Sequence, residues 1–156
     1  MRMVGKAAIL VVLLADATVV QAATGTVLFN GNVLASCTIT LGPAGILEIS
    51  TDGQPFSTRN GGGGGLARPA SAPILTTGAN YRVSVSSPTG FVVAPAGADA
   101  GVTFETRYTA AGVTTGIDIL SGTSTLLAAG LTNLTVNLTA NRPLGFPAGP
   151  YTAQST

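Results

Sequence analysis

The 156-residue chain contains no histidine, no tryptophan and a single cysteine, and only 8% of it is charged. Hydrolytic triads need an imidazole, or an amine in its place, to accept the nucleophile's proton. Beyond residue 22 there is no lysine either, so that chemistry has no base. Metal sites draw on clusters of Cys, His and carboxylate. Here Glu48, Asp52, Asp99, Glu105 and Asp118 stand singly on five segments, with no Asp-x-Asp-x-Asp loop. A glycosidase-type carboxylate pair would have to join Glu48 to Glu105 or Asp118, and the missing Trp and scarce aromatics argue against a sugar-cleaving cleft. The expectation is a structural or binding protein rather than an enzyme, with no catalytic residue, metal or cofactor.

Charge excludes further classes. Beyond residue 22 five arginines (Arg59, Arg68, Arg82, Arg107 and Arg142) balance the five acids. No basic patch for nucleic acid or anionic lipid can be built from that set. Lys, Glu, Gln and Met, which favour helices, are scarce. Val, Thr and Ile recur instead in short bursts between Gly, Pro and Asn.

The opening "MRMVGKAAILVVLLADATVVQAATG" has a basic start (Arg2, Lys6), an apolar run over Ala7–Ala15 too short to span a bilayer, and a small-x-small site at Val20-Gln21-Ala22. It reads as a secretory signal peptide over residues 1–22, cut after Ala22 or Ala23, with no stable membrane insertion afterwards. The remaining ~134 residues are one domain's worth and enough for a core.

From Val27 to Leu41 every odd position (Val27, Phe29, Gly31, Val33, Ala35, Cys37, Ile39, Leu41) is apolar or small, and the even positions are mostly Thr, Asn or Ser. That alternation is nearly three times the roughly 5–6 residues of an ordinary strand. Cys37, alone in an exported chain, is a buried small hydrophobe or a free thiol, and its place on the odd face favours burial.

Further strands are expected over 46–50, 72–87, 90–95, 102–110, 115–121 and 131–141, with one barely begun at Tyr151. Glu105 and Arg107 form an i, i+2 pair on a wet face. The repeated Asn-Leu-Thr at Asn133 and Asn137 is explained by polar patterning on the wet face of a strand. Residues 51–71, with five consecutive glycines from Gly61, read as a flexible surface loop. No Lys-Ser or Lys-Thr follows to make it a phosphate cradle. About seven or eight strands at such spacing suggest an all-β, immunoglobulin-like sandwich over 36–156.

"GTVLFNGNVLASC" (25–37) resembles the N-terminus of chaperone–usher fimbrial subunits, the bacterial pilins. "ILTTGANYRVSVSS" (74–87), "VTFETRYTAAG" (102–112) and "FPAGPYTAQST" (146–156) are similar to segments of that superfamily's spore coat protein U and archaic-pilus group. The resemblance implies an incomplete immunoglobulin-like domain whose missing strand is supplied by the N-terminal extension of the next subunit and, before assembly, by a chaperone. It implies a donor strand within residues 23–35, carried by Val27, Phe29, Gly31, Val33 and Ala35, with Phe29 in a large pocket and Gly31 where no Cβ fits. Partners would be other copies or related subunits, a periplasmic chaperone and an outer-membrane usher, and the destination the bacterial cell surface. Two departures stand out: the group's second Cys corresponds to Thr76, and the last strand stops early.

The same segment also reads as an ordinary first strand paired within its own chain, with Gly31 a bulge or bend. A second class of function is a non-polymerising adhesin or matrix protein binding glycan through the 51–71 loop.

Overall fold

The structure, a computed structural model, describes residues 31–51, 53–59 and 65–156. The chain divides into two units, Met1–Gly31 and Asn32–Thr156. The signal segment, Val27, Phe29 and Gly61–Gly64 lie outside the described residues; of the first unit only Gly31 is described, and it is exposed.

The described residues of the second unit are all-β, with no helix among them. Nine strands follow in order: β1 (Cys37–Ile39), β2 (Glu48–Ile49), β3 (Phe56–Ser57), β4 (Ala70–Thr76), β5 (Arg82–Val83), β6 (Thr103–Gly112), β7 (Gly116–Leu120), β8 (Thr125–Leu126) and β9 (Gly130–Asn141). All named pairings are antiparallel.

The longest strand, β9, is the spine. One edge carries β6 along Thr132–Asn141; the other carries β4 along Gly130–Val136 and then β3 at Thr139–Ala140. β1 extends the sheet beyond β4, β2 beyond β3, and β7 beyond β6. The period-2 pattern explains why β9 sits centrally. Thr132, Leu134, Leu138 and Ala140 are buried, whereas Leu131, Asn133 and Asn141 are exposed. A one-residue slip would bring the polar set into the core, so the register is fixed by burial.

A second layer faces this sheet. It comprises the β5–β8 ribbon and the C-terminal segment, which bridges Val93 through Thr152 and bonds Ser86 through Thr156. Between the layers Ile74, Val85, Tyr108, Ala110, Leu127 and Leu134 form the core, the arrangement of a β-sandwich. Each fully buried aliphatic side chain there contributes about 1.5–3 kcal/mol. Tyr108, fully buried on β6, crosses the core and hydrogen-bonds Thr123 O (2.9 Å) and Thr125 Oγ1 (2.8 Å), tying the layers together. At the end of β6 the chain needs glycine: Gly112 has φ +126°, and a Cβ there would overlap Leu131 O.

The strands read from alternation over 102–110, 115–121 and 131–141 are present as β6, β7 and β9. The stretch 72–87 divides into β4 and β5, and 90–95 is reduced to the bridge at Val93. The segment read as loop over 51–71 contains β3 and the start of β4. Phe56 packs against Phe146 and Tyr151, Ser57 bonds Thr139, and Thr58 bonds Asn137, so tertiary contacts order a stretch that is weak in hydrophobic pattern.

Candidate strand-acceptor groove

The run from Cys37 to Ile49 uses its backbone in one direction. Thr40 N donates to Pro73 O (2.9 Å), Gly42 N to Ser71 O (2.9 Å), and Ile46 exchanges bonds with Arg68, all on the β4 side. The C-terminal run likewise bonds only away from it: Thr152 with Val92 and Val93, and Thr156 O accepting from Ser86 N (2.7 Å). Among the described residues no backbone hydrogen bond or ladder pair joins 37–49 to 146–156. Antiparallel geometry then turns the N–H and C=O of Leu41, Ala153 and Ser155 toward the gap between these two runs.

Three hollows succeed one another along that gap. The first, about 290 Å³, lies between Ile39 and Leu41 on one side and Ser155 and Thr156 on the other. The second, about 460 Å³, lies between Gly45–Leu47 and Tyr151–Ala153. The third, about 210 Å³, is bounded by Ile49, Phe146 and Tyr151. No charged side chain lines any of them. Core residues Ile74, Val85 and Leu134 reach the wall of the first, so the hydrophobic core comes to the surface along this gap.

Register shows which way the side chains of this run face. Cys37 stands opposite Thr76 and Ile39 opposite Ile74, and directly opposed residues share a face. Thr76 and Ile74 are buried, so Cys37, Ile39 and Leu41 face inward. Yet Ile39 is 59% and Leu41 86% exposed. Among the described residues no strand covers this inward face. Covering two such side chains is worth about 1.5–3 kcal/mol each.

The same fact corrects the reading of Cys37 as buried. It is an exposed free thiol, because its face is the inward one but, among the described residues, no strand lies against it.

The residues expected in the donor segment are distributed unevenly. Gly31 and Val33 are exposed and belong to no strand, Val33 being 77% exposed. Among the described residues, the chain is held at Leu34, whose C=O accepts from Thr77 Oγ1 (2.8 Å), and at Ser36, whose N–H donates to the same hydroxyl (2.9 Å). Ala35 lies against Gly78. Ala35 therefore touches its own domain, whereas Gly31 and Val33 belong to no strand. The acceptor residues had one sequence signal, an odd apolar face that runs on to Ile39 and Leu41; the C-terminal wall had none.

Charged residues gather elsewhere. Arg107 bridges Glu105 (2.6 Å) and Asp118 (3.0 Å), and Arg59 pairs with Asp118. The hydrogen bond from Arg59, helped by the charges of Arg59 and Arg107, holds the Asp118 carboxyl below the usual carboxylate range despite some desolvation. Hydrogen bonding to Glu105 and its charge raise Arg107. Glu48 Oε2 accepts from the N–H groups of Leu66 and Ala67 (both 3.0 Å). Glu105 and Asp118 thus meet through an arginine, while Glu48 serves loop backbone.

No protein-family model, curated protein or solved structure matches the chain.

Proposed function

We propose that the chain is a structural subunit of a bacterial surface fimbria, polymerising by donor-strand complementation of an immunoglobulin-like sandwich that lacks one strand. The observation that carries the reading is the uncharged gap between 37–49 and 146–156, where Ile39 and Leu41 face inward without cover. Strand addition fits such a gap: main-chain bonds supply affinity and alternate side chains supply register. The alternation from Val27 to Val33 has the required period and no charge, and Val33 lies just ahead of the anchored Leu34 and Ser36.

The opposition of Cys37 and Thr76 adds support, since these are the positions that the resemblance to the coat protein U group pairs. On this reading the partners are further copies or related subunits, with a periplasmic chaperone holding the groove and an outer-membrane usher ordering assembly. The protein is exported through the periplasm to the cell surface and performs no catalysis.

The purified chain without residues 1–22 is expected to form multimers that survive SDS unless boiled. Phe29→Asp places a charge in an apolar pocket, and Gly31→Val adds bulk at the tight position; each is expected to leave monomers. A stable wild-type monomer, or multimers indifferent to both changes, would refute the reading.

A further inference from the structure

The outer face of the main sheet is polar over most of its area. Ser71, Thr135 and Thr109 form one cross-strand row, Asn137 and Arg107 another, and Thr139 and Glu105 a third. One end departs from this. Leu75 and Leu131 stand directly opposite each other, and Val113, whose N–H donates to Leu131 O (3.1 Å), leans over Gly130 beside them. These three are 50%, 49% and 50% exposed. Elsewhere on this face the apolar residues Pro73, Ala111 and Leu120 each stand opposite a polar one, Asn133 or Arg107, so the directly opposed aliphatic pair Leu75–Leu131 is the exception.

The position of the row indicates its occupant. Thr77, two residues beyond Leu75 on the same strand run, is where Leu34 and Ser36 are anchored. Asn32 and Val33, directly ahead of that anchor, are therefore held near this end of the sheet. At most ~3.3–3.6 Å per extended residue, Gly31 stays within roughly 10 Å of that anchor. Any molecule that holds the residues before Asn32 is tethered beside Leu75, Leu131 and Val113 at high effective concentration, so even a small apolar contact there would form.

We propose that Leu75, Leu131 and Val113 form a second contact between consecutive copies of this chain, made by the copy whose groove holds the tethered segment. This rests on the strand-exchange reading above. The contact is heterologous, one surface meeting a different surface of the next copy, which generates an open fibre rather than a closed dimer. Its role is to restrain the angle between subunits that the strand alone joins through a short linker.

The test places Leu131→Cys in a Cys37→Ser chain lacking residues 1–22 and follows maleimide labelling in assembled material. The reference is the same chain carrying Phe29→Asp, and Thr103→Cys, exposed at the opposite end of the same face, is the control. The expected result is an SDS-resistant ladder with labelling at position 131 slowed about tenfold and labelling at position 103 unchanged. A ladder with no slowing at 131, or equal slowing at both, overturns the second contact and leaves strand exchange standing. No ladder with Phe29 intact overturns strand exchange, and the contact with it. Leu75→Ser with Leu131→Ser is further expected to keep the ladder but shorten filaments at least threefold in electron micrographs; unchanged length counts against the contact.

Discussion

Thr76→Cys tests the register that defines the groove's inner wall. Thr40 N donates to Pro73 O and Thr77 N to Ser36 O, so the even residues of this run carry the bonds to β4 and Cys37–Thr76 is a non-hydrogen-bonded pair. Such pairs have Cα atoms about 4.5 Å apart, within the range a disulfide spans. The bridge would close a loop of about 40 residues, for which the chain-entropy treatment gives about 4 kcal/mol at 25 °C. Against this, the change removes the Thr76 Oγ1 donation to Ala128 O (2.8 Å), a loss of about 1–2 kcal/mol. The net is about 2–3 kcal/mol, or a rise in Tm on the order of 10 °C for a domain of this size. Thiol titration under denaturing conditions, with thermal unfolding with and without reductant, measures both halves. Two titratable thiols after oxidation, or an oxidised protein no more stable than the wild type, would refute the β1–β4 register and the inward facing of Ile39 and Leu41.

Tyr108→Phe leaves Thr123 O and Thr125 Oγ1 without their phenolic partner and is expected to cost about 1–3 kcal/mol in denaturant unfolding, with no change in groove-filling behaviour. Asp118 titrates below its ordinary value in the folded chain, so its contribution is present above the unfolded pKa of about 3.9 and is lost as pH falls through the folded value. Wild type is therefore expected to lose more stability between pH 6 and pH 3 than Asp118→Asn, by an amount that salt reduces, as followed by acid unfolding at two ionic strengths. Cys37, inward-facing but uncovered, is expected to react freely with iodoacetamide in monomers and several-fold more slowly once a strand fills the gap, as read by mass spectrometry.

The long strands were legible because half-buried strands write their faces into alternate residues: Leu134, Leu138 and Ala140 inward, Asn133 and Asn141 outward. The short ones were not. β3 has two residues, Phe56 and Ser57, ordered by an aromatic cluster and by hydroxyls of β9 that lie far off in sequence. Cys37 misled because alternation reports which way a side chain faces, not whether anything lies against it. For the groove, Ile39 and Leu41 were visible as an apolar face, but the opposite wall, "YTAQST", carries no hydrophobic pattern. Its role comes from the bonds of Thr152 and Thr156 to the strand run on its far side. Arg59 was equally silent in the sequence, since its partner Asp118 is brought to it only by the packing of β3 and β7 about β9 and β6.

The most direct measurement of the central claim offers the groove a strand from outside. The chain lacking residues 1–22 and carrying Phe29→Asp provides the acceptor, and a synthetic peptide of residues 25–35 the donor, with binding followed by calorimetry and by Tm. Strand complementation predicts one peptide per chain, a Tm that rises with peptide concentration as site-specific binding to the folded state requires, and no binding of the peptide carrying Phe29→Asp. Absence of binding by the wild-type peptide, or equal binding of both peptides, would contradict it.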